Sequence, residues 1–244
     1  MWIKPLTTPT KYGIIVAMTK KQTILGFSRG QFIFICAAMP VLLVSGVLTN
    51  QPWYELLLAL FSVVTLMLLA GGKRIGTAFG VPFTVGNGLL FFSRKVYGLA
   101  VFNALIAAPV YLISFISWGQ HKSGDGTVTI KRLSKKQWLL TLLACVVVFV
   151  SGFFVLRATG SAQPLLDAFT IAMFLPALFL IQQRYVENWI LHITGNLVSA
   201  IIWIIATIDN PMSFNFVLIT SAATTINAMG LIGWLKLEKD PENA

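Results

Sequence analysis

Long apolar segments alternate along the chain with short breaks that contain charged residues, proline or glycine. A bilayer core of ~30 Å needs about 20 apolar residues per membrane-spanning helix. Eight segments approach this length: residues 30–49, 53–71, 79–93, 96–118, 137–157, 163–181, 188–207 and 213–235. With 57% hydrophobic and 11% charged residues, the chain of 244 residues has too few polar side chains for a soluble domain of this size. The pattern predicts an all-α integral membrane protein with about eight spans.

The third segment, residues 79–93, is the least regular, because it is short and contains Gly80, Pro82, Gly86 and Gly88. Proline and glycine are tolerated in a spanning helix where neighbouring helices or a wet cavity satisfy the backbone. Two interpretations stay open at this point. The segment is either a bent helix that lines a cavity or a helix whose small residues allow close packing.

Lysine and arginine are distributed so that alternate loops are basic, and short cytoplasmic loops retain such residues. With the N-terminus inside, every basic residue except Arg94, Lys95 and Arg157 falls on the cytoplasmic side. Both termini are therefore expected to be cytoplasmic. The net charge of +10 follows mostly from this topology, with some attraction to anionic lipid of the bilayer. No nucleic-acid partner is expected, because the basic residues are dispersed and lack interleaved aromatic residues.

An internal repeat divides the chain. The segments FTVGNGLLFF and HITGNLVSAI are near-copies that place Asn87 and Asn196 at matching positions inside apolar runs. This similarity predicts two three-helix bundles, residues 53–118 and 163–235. Their first helices are four spans apart, so both bundles point the same way across the membrane. The helix at 137–157 would then link them.

The remaining segments complete the predicted organisation. Residues 1–29 form a cytoplasmic tail, and 30–49 form an extra N-terminal helix, expected to be an anchor rather than a cleaved signal. Residues 119–136 form a basic cytoplasmic loop, and 236–244 form a second cytoplasmic tail.

Several amides lie deep within the predicted spans. At 1.5 Å per residue, Asn87, Asn196 and Asn227 approach the midplane, whereas Asn103 and His192 lie roughly 10 and 6 Å from a membrane surface. An amide in hydrocarbon is costly without a partner, so each should face the bundle interior. Each amide could simply form a hydrogen bond between helices. Several amides at similar depth favour instead a polar binding site.

The segment RYVENWILHITGN resembles part of the PnuC-type vitamin transporters, whose second repeat carries Y-x-E-x-W followed by W-x-x-x-N and whose last helix carries N-x-x-G-x-x-x-W. The matching residues are Tyr185, Glu187, Trp189, His192 and Asn196, followed by Asn227, Gly230 and Trp234. The resemblance covers roughly residues 53–235. It is weaker in the first half, where the end motif takes the form Tyr111, Ser114 and Trp118.

This resemblance implies a SWEET-like fold of two parallel three-helix bundles joined by a linker helix, in a bacterial cytoplasmic membrane. The family carries unphosphorylated vitamin precursors by facilitated diffusion, nicotinamide riboside first, with relatives that take thiamine, riboflavin or deoxynucleosides. A cytosolic kinase is the implied functional partner, since it traps the substrate by phosphorylation. No cofactor, metal or catalytic residue is implied, and a homo-oligomer is left open.

One departure from the family leaves the substrate open: His192 replaces a tryptophan that would stack on the base. Other rings could supply the stacking. The predicted substrate-binding residues are Asn196, His192, Trp189, Asn227, Asn87, Asn103 and Phe83. A non-transporting membrane subunit is one alternative. An integral-membrane enzyme is another, but the chain has no H-E-x-x-H pattern.

Overall fold

A computed structural model of the protein describes residues 23–24, 27–93, 100–122, 126–161 and 163–239. Within this part of the chain, eight helices are long and apolar enough to cross a membrane, which confirms the predicted number of spans. They are α1 (Arg29–Leu48), α2 (Trp53–Ala70), α3 (Ile75–Ser93), α4 (Phe102–Gln120), α5 (Lys135–Ala158), α6 (Pro164–Gln182), α7 (Asn188–Asp209) and α8 (Phe214–Glu238). A short antiparallel pair precedes them, β1 (Thr23–Ile24) and β2 (Phe27–Ser28).

Local sequence signals fix several helix ends. Capping boxes start α1 and α5, in which Ser28 and Ser134 each exchange hydrogen bonds with the glutamine three residues later. Helix α4 opens with a π-helical turn, Phe102–Ala107, before it continues as a regular α-helix. The start of the predicted fourth segment and most of the predicted N-terminal tail lie outside the described residues.

Helix α3 is longer than its apolar segment, because it begins at Ile75 rather than at residue 79. Its glycines allow close packing. A Cβ atom at Gly80 would lie 2.6 Å from the Tyr111 ring, one at Gly86 would lie 2.5 Å from Leu58, and one at Gly88 would lie 2.9 Å from Ala104. These glycines therefore hold α3 against α2 and α4.

The helices pack as two groups, α2 with α3 and α4, and α6 with α7 and α8. The groups meet where α2 packs on α8 and where α4 packs on α6. Helix α5 packs on α6, and α1 lies against α2 and α8. Large apolar side chains such as Leu139, Val146 and Phe154 are exposed along α5, as expected of a helix that faces hydrocarbon.

The loops α2–α3, α4–α5 and α6–α7 lie together at one end of the bundle, which we call the basic end. Among the described lysines and arginines, only Arg157, in the last turn of α5, lies at the opposite end. The loops α1–α2 and α7–α8 form that opposite end, where Asn215 Nδ2 donates a hydrogen bond to Gln51 Oε1 at 2.6 Å.

Candidate substrate-binding site

Three tryptophans near the basic end have no exposed surface, namely Trp118, Trp189 and Trp234. Trp234 Nε1 donates to the carbonyl oxygen of Leu69 at 3.0 Å, and Trp118 Nε1 donates to that of Gln182 at 3.3 Å. The Trp234 ring lies 5.8 Å from Trp118 and 5.3 Å from Trp189, measured between centroids. The indoles thus fasten α8 to the end of α2, and α4 to the end of α6.

Trp189 lies directly against α8 because that helix has a glycine at the contact. A Cβ atom at Gly230 would lie 2.8 Å from the Trp189 ring. At the other end of the same helix pair, the rings of Trp203 and Phe216 stack with centroids 4.4 Å apart. The two contacts agree on one antiparallel alignment of α7 with α8. This alignment places Asn227 on α8 at the level of His192 on α7.

Asn227 is the most unusual polar residue in this region. It is 1% exposed, and neither its Oδ1 nor its Nδ2 has a hydrogen-bond partner among the described residues. The nearby Trp189 Nε1 is buried and likewise has no partner in the described part of the chain. A buried amide left unpaired costs ~1–3 kcal/mol, so packing alone gives no reason for an asparagine here.

His192 lies between two aromatic rings, 5.8 Å from Phe174 and 6.2 Å from Trp189 between centroids. Its Nδ1 is 2.9 Å from the carbonyl oxygen of Asn188. Because a carbonyl oxygen can only accept, Nδ1 carries the proton, and Nε2 of the neutral ring is an acceptor. The site therefore offers a hydrogen-bond acceptor flanked by aromatic surface.

Asn196 follows His192 by about one helical turn, or about 6 Å along the helix axis. It is 9% exposed, and its side chain has no hydrogen bond to any residue that the structure describes. Trp189, His192 and Asn196 recur at a helical period, so they share one face of α7. The register of the two helices places Asn227, on α8, at the level of His192 on α7. We call these four residues the polar cluster.

Phe174 on α6 contributes to this region, although sequence reasoning did not identify it. A Cβ atom at Gly195 would lie 2.6 Å from its ring, so the glycine before Asn196 lets α6 approach α7 closely. That glycine was the available signal, but it could not indicate which residue of α6 fills the space.

The predicted site residues from the first half lie on other helices. On α3, Asn87 Nδ2 donates to the carbonyl oxygen of Phe83 at 2.8 Å, so the two predicted residues bond to each other. Asn103 lies half-buried in the π-helical turn of α4, a type of distortion that is frequent at functional sites. Since α3 packs on α2 and α4, Asn87 and Phe83 belong to the first group of helices, whereas the polar cluster belongs to the second.

The turns α2–α3 and α6–α7 show how the two halves correspond. Gly72 and Arg184 both have left-handed backbones, with φ of 66° and 67°. One residue later, the amides of Lys73 and Tyr185 each donate to a carbonyl five residues back, at 2.9 Å in both turns. Gly72 and Arg184 are 112 positions apart in the sequence, and so are Lys73 and Tyr185. Corresponding residues of the two turns are therefore separated by a constant number of positions.

The same separation, carried into α3 and α7, pairs Asn196 with Thr84. Thr84 is 3% exposed, and its hydroxyl donates to the carbonyl oxygen of Gly80 at 2.8 Å. The turns therefore contradict the predicted pairing of Asn87 with Asn196. The similar letters of FTVGNG and HITGN are out of register with the backbone, and only the second half presents an asparagine at this position.

The Y-x-E-x-W segment mainly holds the basic end together. Glu187, 3% exposed, accepts from Arg132 Nε at 3.1 Å and from the Leu133 amide at 3.2 Å. The Tyr185 hydroxyl accepts from Gln137 Nε2 at 2.8 Å. These contacts tie the start of α7 to the loop before α5, so Tyr185 and Glu187 position the helix that carries the polar cluster.

Arg184 lies in the same turn and is 2% exposed, and burial lowers the pKa of its guanidinium group. Its backbone carbonyl accepts from the Lys131 amide at 2.9 Å. A strand-like contact between Lys131 and Tyr185 follows directly, so Arg184 belongs to the turn at the basic end.

A helical membrane bundle with unpaired amides and aromatic rings buried between its helices is typical of a transporter for a small polar molecule. The sequence model of the nicotinamide mononucleotide transporter family matches residues 52–236, which is more than half of the chain. The chain belongs to this family, and it is a membrane transporter rather than an enzyme. The resemblance carried by RYVENWILHITGN is thereby confirmed.

Known relatives cover nearly the whole chain. The nicotinamide riboside transporter PnuC of Neisseria mucosa is 26% identical over 233 residues, which cover 92% of this chain and 88% of that protein. The nicotinamide riboside transporter PnuC of Haemophilus influenzae is 22% identical over 228 residues, with 92% and 98% covered. The crystal structure of the vitamin B3 transporter PnuC superposes with a TM-score of 0.77 at 26% identity, and 92% of this chain and 98% of that one are covered.

Proposed function

We propose that the chain carries nicotinamide riboside across the membrane by facilitated diffusion and binds it at the polar cluster. The observation that carries this proposal is the Asn227 side chain, which is buried and has no hydrogen-bond partner among the described residues. A binding site that must release its ligand keeps polar groups ready for that ligand, at a cost in stability.

The chemistry of nicotinamide riboside suits these groups. Its carboxamide and ribose hydroxyls offer donors and acceptors that match the amides of Asn196 and Asn227. Its flat ring matches the aromatic surface of Phe174 and His192, whose Nε2 can accept from a carboxamide or hydroxyl. Trp189 supports the His192 ring from within the core. Asn103 is kept as the contribution of the first bundle. Asn87 and Phe83 are left out, because the Asn87 amide already donates to the backbone carbonyl of Phe83 and the turns pair neither residue with the polar cluster.

We further propose the SWEET-like arrangement, with residues 53–118 and 163–235 related by a pseudo-two-fold axis along the membrane normal. The matching turns and the paired Trp118 and Trp234 hydrogen bonds support it, because each indole fastens the last helix of one half to the first helix of the other. In this proposal 137–157 is the linker and 30–49 is an addition outside the pair. Transport would occur by rocking of the two bundles about the bound ligand.

The basic end is proposed to face the cytoplasm, because short cytoplasmic loops retain lysine and arginine. The polar cluster lies between this end and the opposite, external end. Since no acidic pair lines the polar cluster among the described residues, the proposal includes no coupling ion. Net uptake into a bacterium would then require a cytosolic kinase that phosphorylates the riboside and prevents its return.

The substrate assignment is tested by the thermal unfolding of purified protein with nicotinamide riboside, thiamine, riboflavin and several deoxynucleosides. A ligand at 100 times its Kd should stabilise the folded state by ~2.7 kcal/mol. We expect nicotinamide riboside to give the largest shift. A larger shift with another ligand would identify that ligand as the substrate. The presence of His192 in place of the family's tryptophan would then explain the changed preference. No shift with nicotinamide riboside at saturating concentration would contradict its assignment as the substrate.

A further inference from the structure

A cavity of about 270 Å³ lies at the end opposite to the basic end, between α2, α7 and α8. Its polar lining comprises Gln51, Glu55, Asn210 and Ser213, and its aromatic lining comprises Trp203 and Phe216. We call this the outer cavity. Ligand pockets usually measure ~300–1,000 Å³, so the outer cavity suits one ring-sized group rather than a whole nucleoside.

The outer cavity and the polar cluster lie along the same face of α7. Trp203 lies two turns beyond Asn196 on the same face of α7, about 10 Å along the helix axis. Its ring stacks on Phe216 with an angle of 19° between the planes. A ring bound against this pair would therefore lie on the face of α7 that carries Asn196, nearer to the external end.

Glu55 gives the outer cavity its chemical character. Its side chain lies in the first turn of α2 and is only 6% exposed. A carboxylate at this position is favoured by the helix dipole, which is an ordinary reason for its presence. The dipole does not account for its place in a cavity wall beside two stacked rings. A carboxylate next to aromatic faces is a suitable environment for an organic cation.

The equivalent residue in the other half provides a comparison. The constant separation found in the turns pairs Glu55 with Asp167, in the first turn of α6. Asp167 accepts a hydrogen bond from the Ser161 hydroxyl and does not line the outer cavity. The two halves thus share a carboxylate at the helix start, and of the two only Glu55 lines the outer cavity.

We propose that the outer cavity is a first binding site for the positively charged ring of the incoming substrate. The proposal rests on the proposed function, because nicotinamide riboside carries a fixed positive charge on its ring nitrogen. The few basic residues expected at this end favour it as well, since only Arg94, Lys95 and Arg157 fall outside the predicted cytoplasmic side. Glu55 attracts the cation, Trp203 and Phe216 hold the ring, and the ligand then moves along α7 to the polar cluster.

The test is uptake of nicotinamide riboside by the full-length protein in liposomes, with Glu55→Gln compared with the wild type. The charge is removed while the shape is kept, so KM should rise about fivefold, the factor for one opposite charge near 4 Å in a hydrated site. The maximal rate should stay unchanged. The difference should disappear in about 1 M salt, where the screening length is ~3 Å. Uptake of the reduced, uncharged dihydro form of the riboside should be the same in both proteins.

Asp167→Asn is the matched control, and it should leave KM unchanged. Trp203→Leu, a second variant, should raise KM in a manner that salt does not abolish. An unchanged KM in folded Glu55→Gln, or an equal increase in Asp167→Asn, would overturn the outer site. Failure of the wild type to take up nicotinamide riboside would instead show in every variant alike, and it would overturn the proposed function together with the outer site.

Discussion

Replacement of Asn196 with leucine is expected to abolish the binding of nicotinamide riboside while the protein stays folded. Leucine has a similar size, so the packing of α7 is preserved, but the ligand loses a donor and an acceptor. A buried ligand group left unpaired, in a site built to hydrogen-bond it, should lower affinity by at least about 100-fold. Calorimetric titration measures the affinity, and thermal unfolding measures the fold.

Asn87→Leu is the matched control for this prediction, because the two asparagines lie in nearly identical segments. Its amide already donates to the Phe83 carbonyl within α3, so affinity should change by no more than about threefold. An equal loss of binding in both variants would show that the asparagines are equivalent after all. Asn87 would then have to be included among the binding residues.

Asn227→Leu is expected to abolish binding and also to make the ligand-free protein more stable. The asparagine is buried without a partner among the described residues, so leucine removes an unpaired amide and fills the same space. Relief of one unpaired polar group should raise the free energy of unfolding by ~1–3 kcal/mol. Few substitutions in a protein core stabilise it, and one that also removes function identifies a group kept for its ligand.

Asn215→Leu is the control on the same helix. Asn215 is as deeply buried as Asn227, but its Nδ2 donates a hydrogen bond to Gln51 Oε1 at 2.6 Å. This variant should therefore lose stability and keep most of its affinity for the riboside. A loss of stability in Asn227→Leu comparable with that in Asn215→Leu would indicate that the Asn227 amide serves the fold rather than the ligand.

The membrane fold could be predicted from the sequence because its signals are local. A spanning helix is a run of apolar residues, and the basic end follows from the positions of lysine and arginine. The chemical types of the residues in the polar cluster were likewise visible, since His192 and Asn196 are unusual inside an apolar segment. The structure adds that His192 and Asn196 share one face of α7, since they lie four residues apart in one helix.

The remaining parts of the site depend on contacts between distant segments, which the sequence alone does not determine. Phe174 reaches His192 because Gly195 brings two helices together, and the lining of the outer cavity comes from three separate helices. The mistaken pairing of Asn87 with Asn196 has the same origin. Similar letters suggested one register, but the backbone hydrogen bonds of the turns set another, which pairs Asn196 with Thr84.

The most direct test of the proposed function is the uptake of labelled nicotinamide riboside into liposomes that contain the purified protein. We predict saturable uptake that ends at equal concentrations inside and outside without an ion gradient, and that is lost in liposomes with Asn196→Leu. Uptake by the folded wild type no faster than that by Asn196→Leu would contradict the proposal that this chain carries the riboside through its polar cluster.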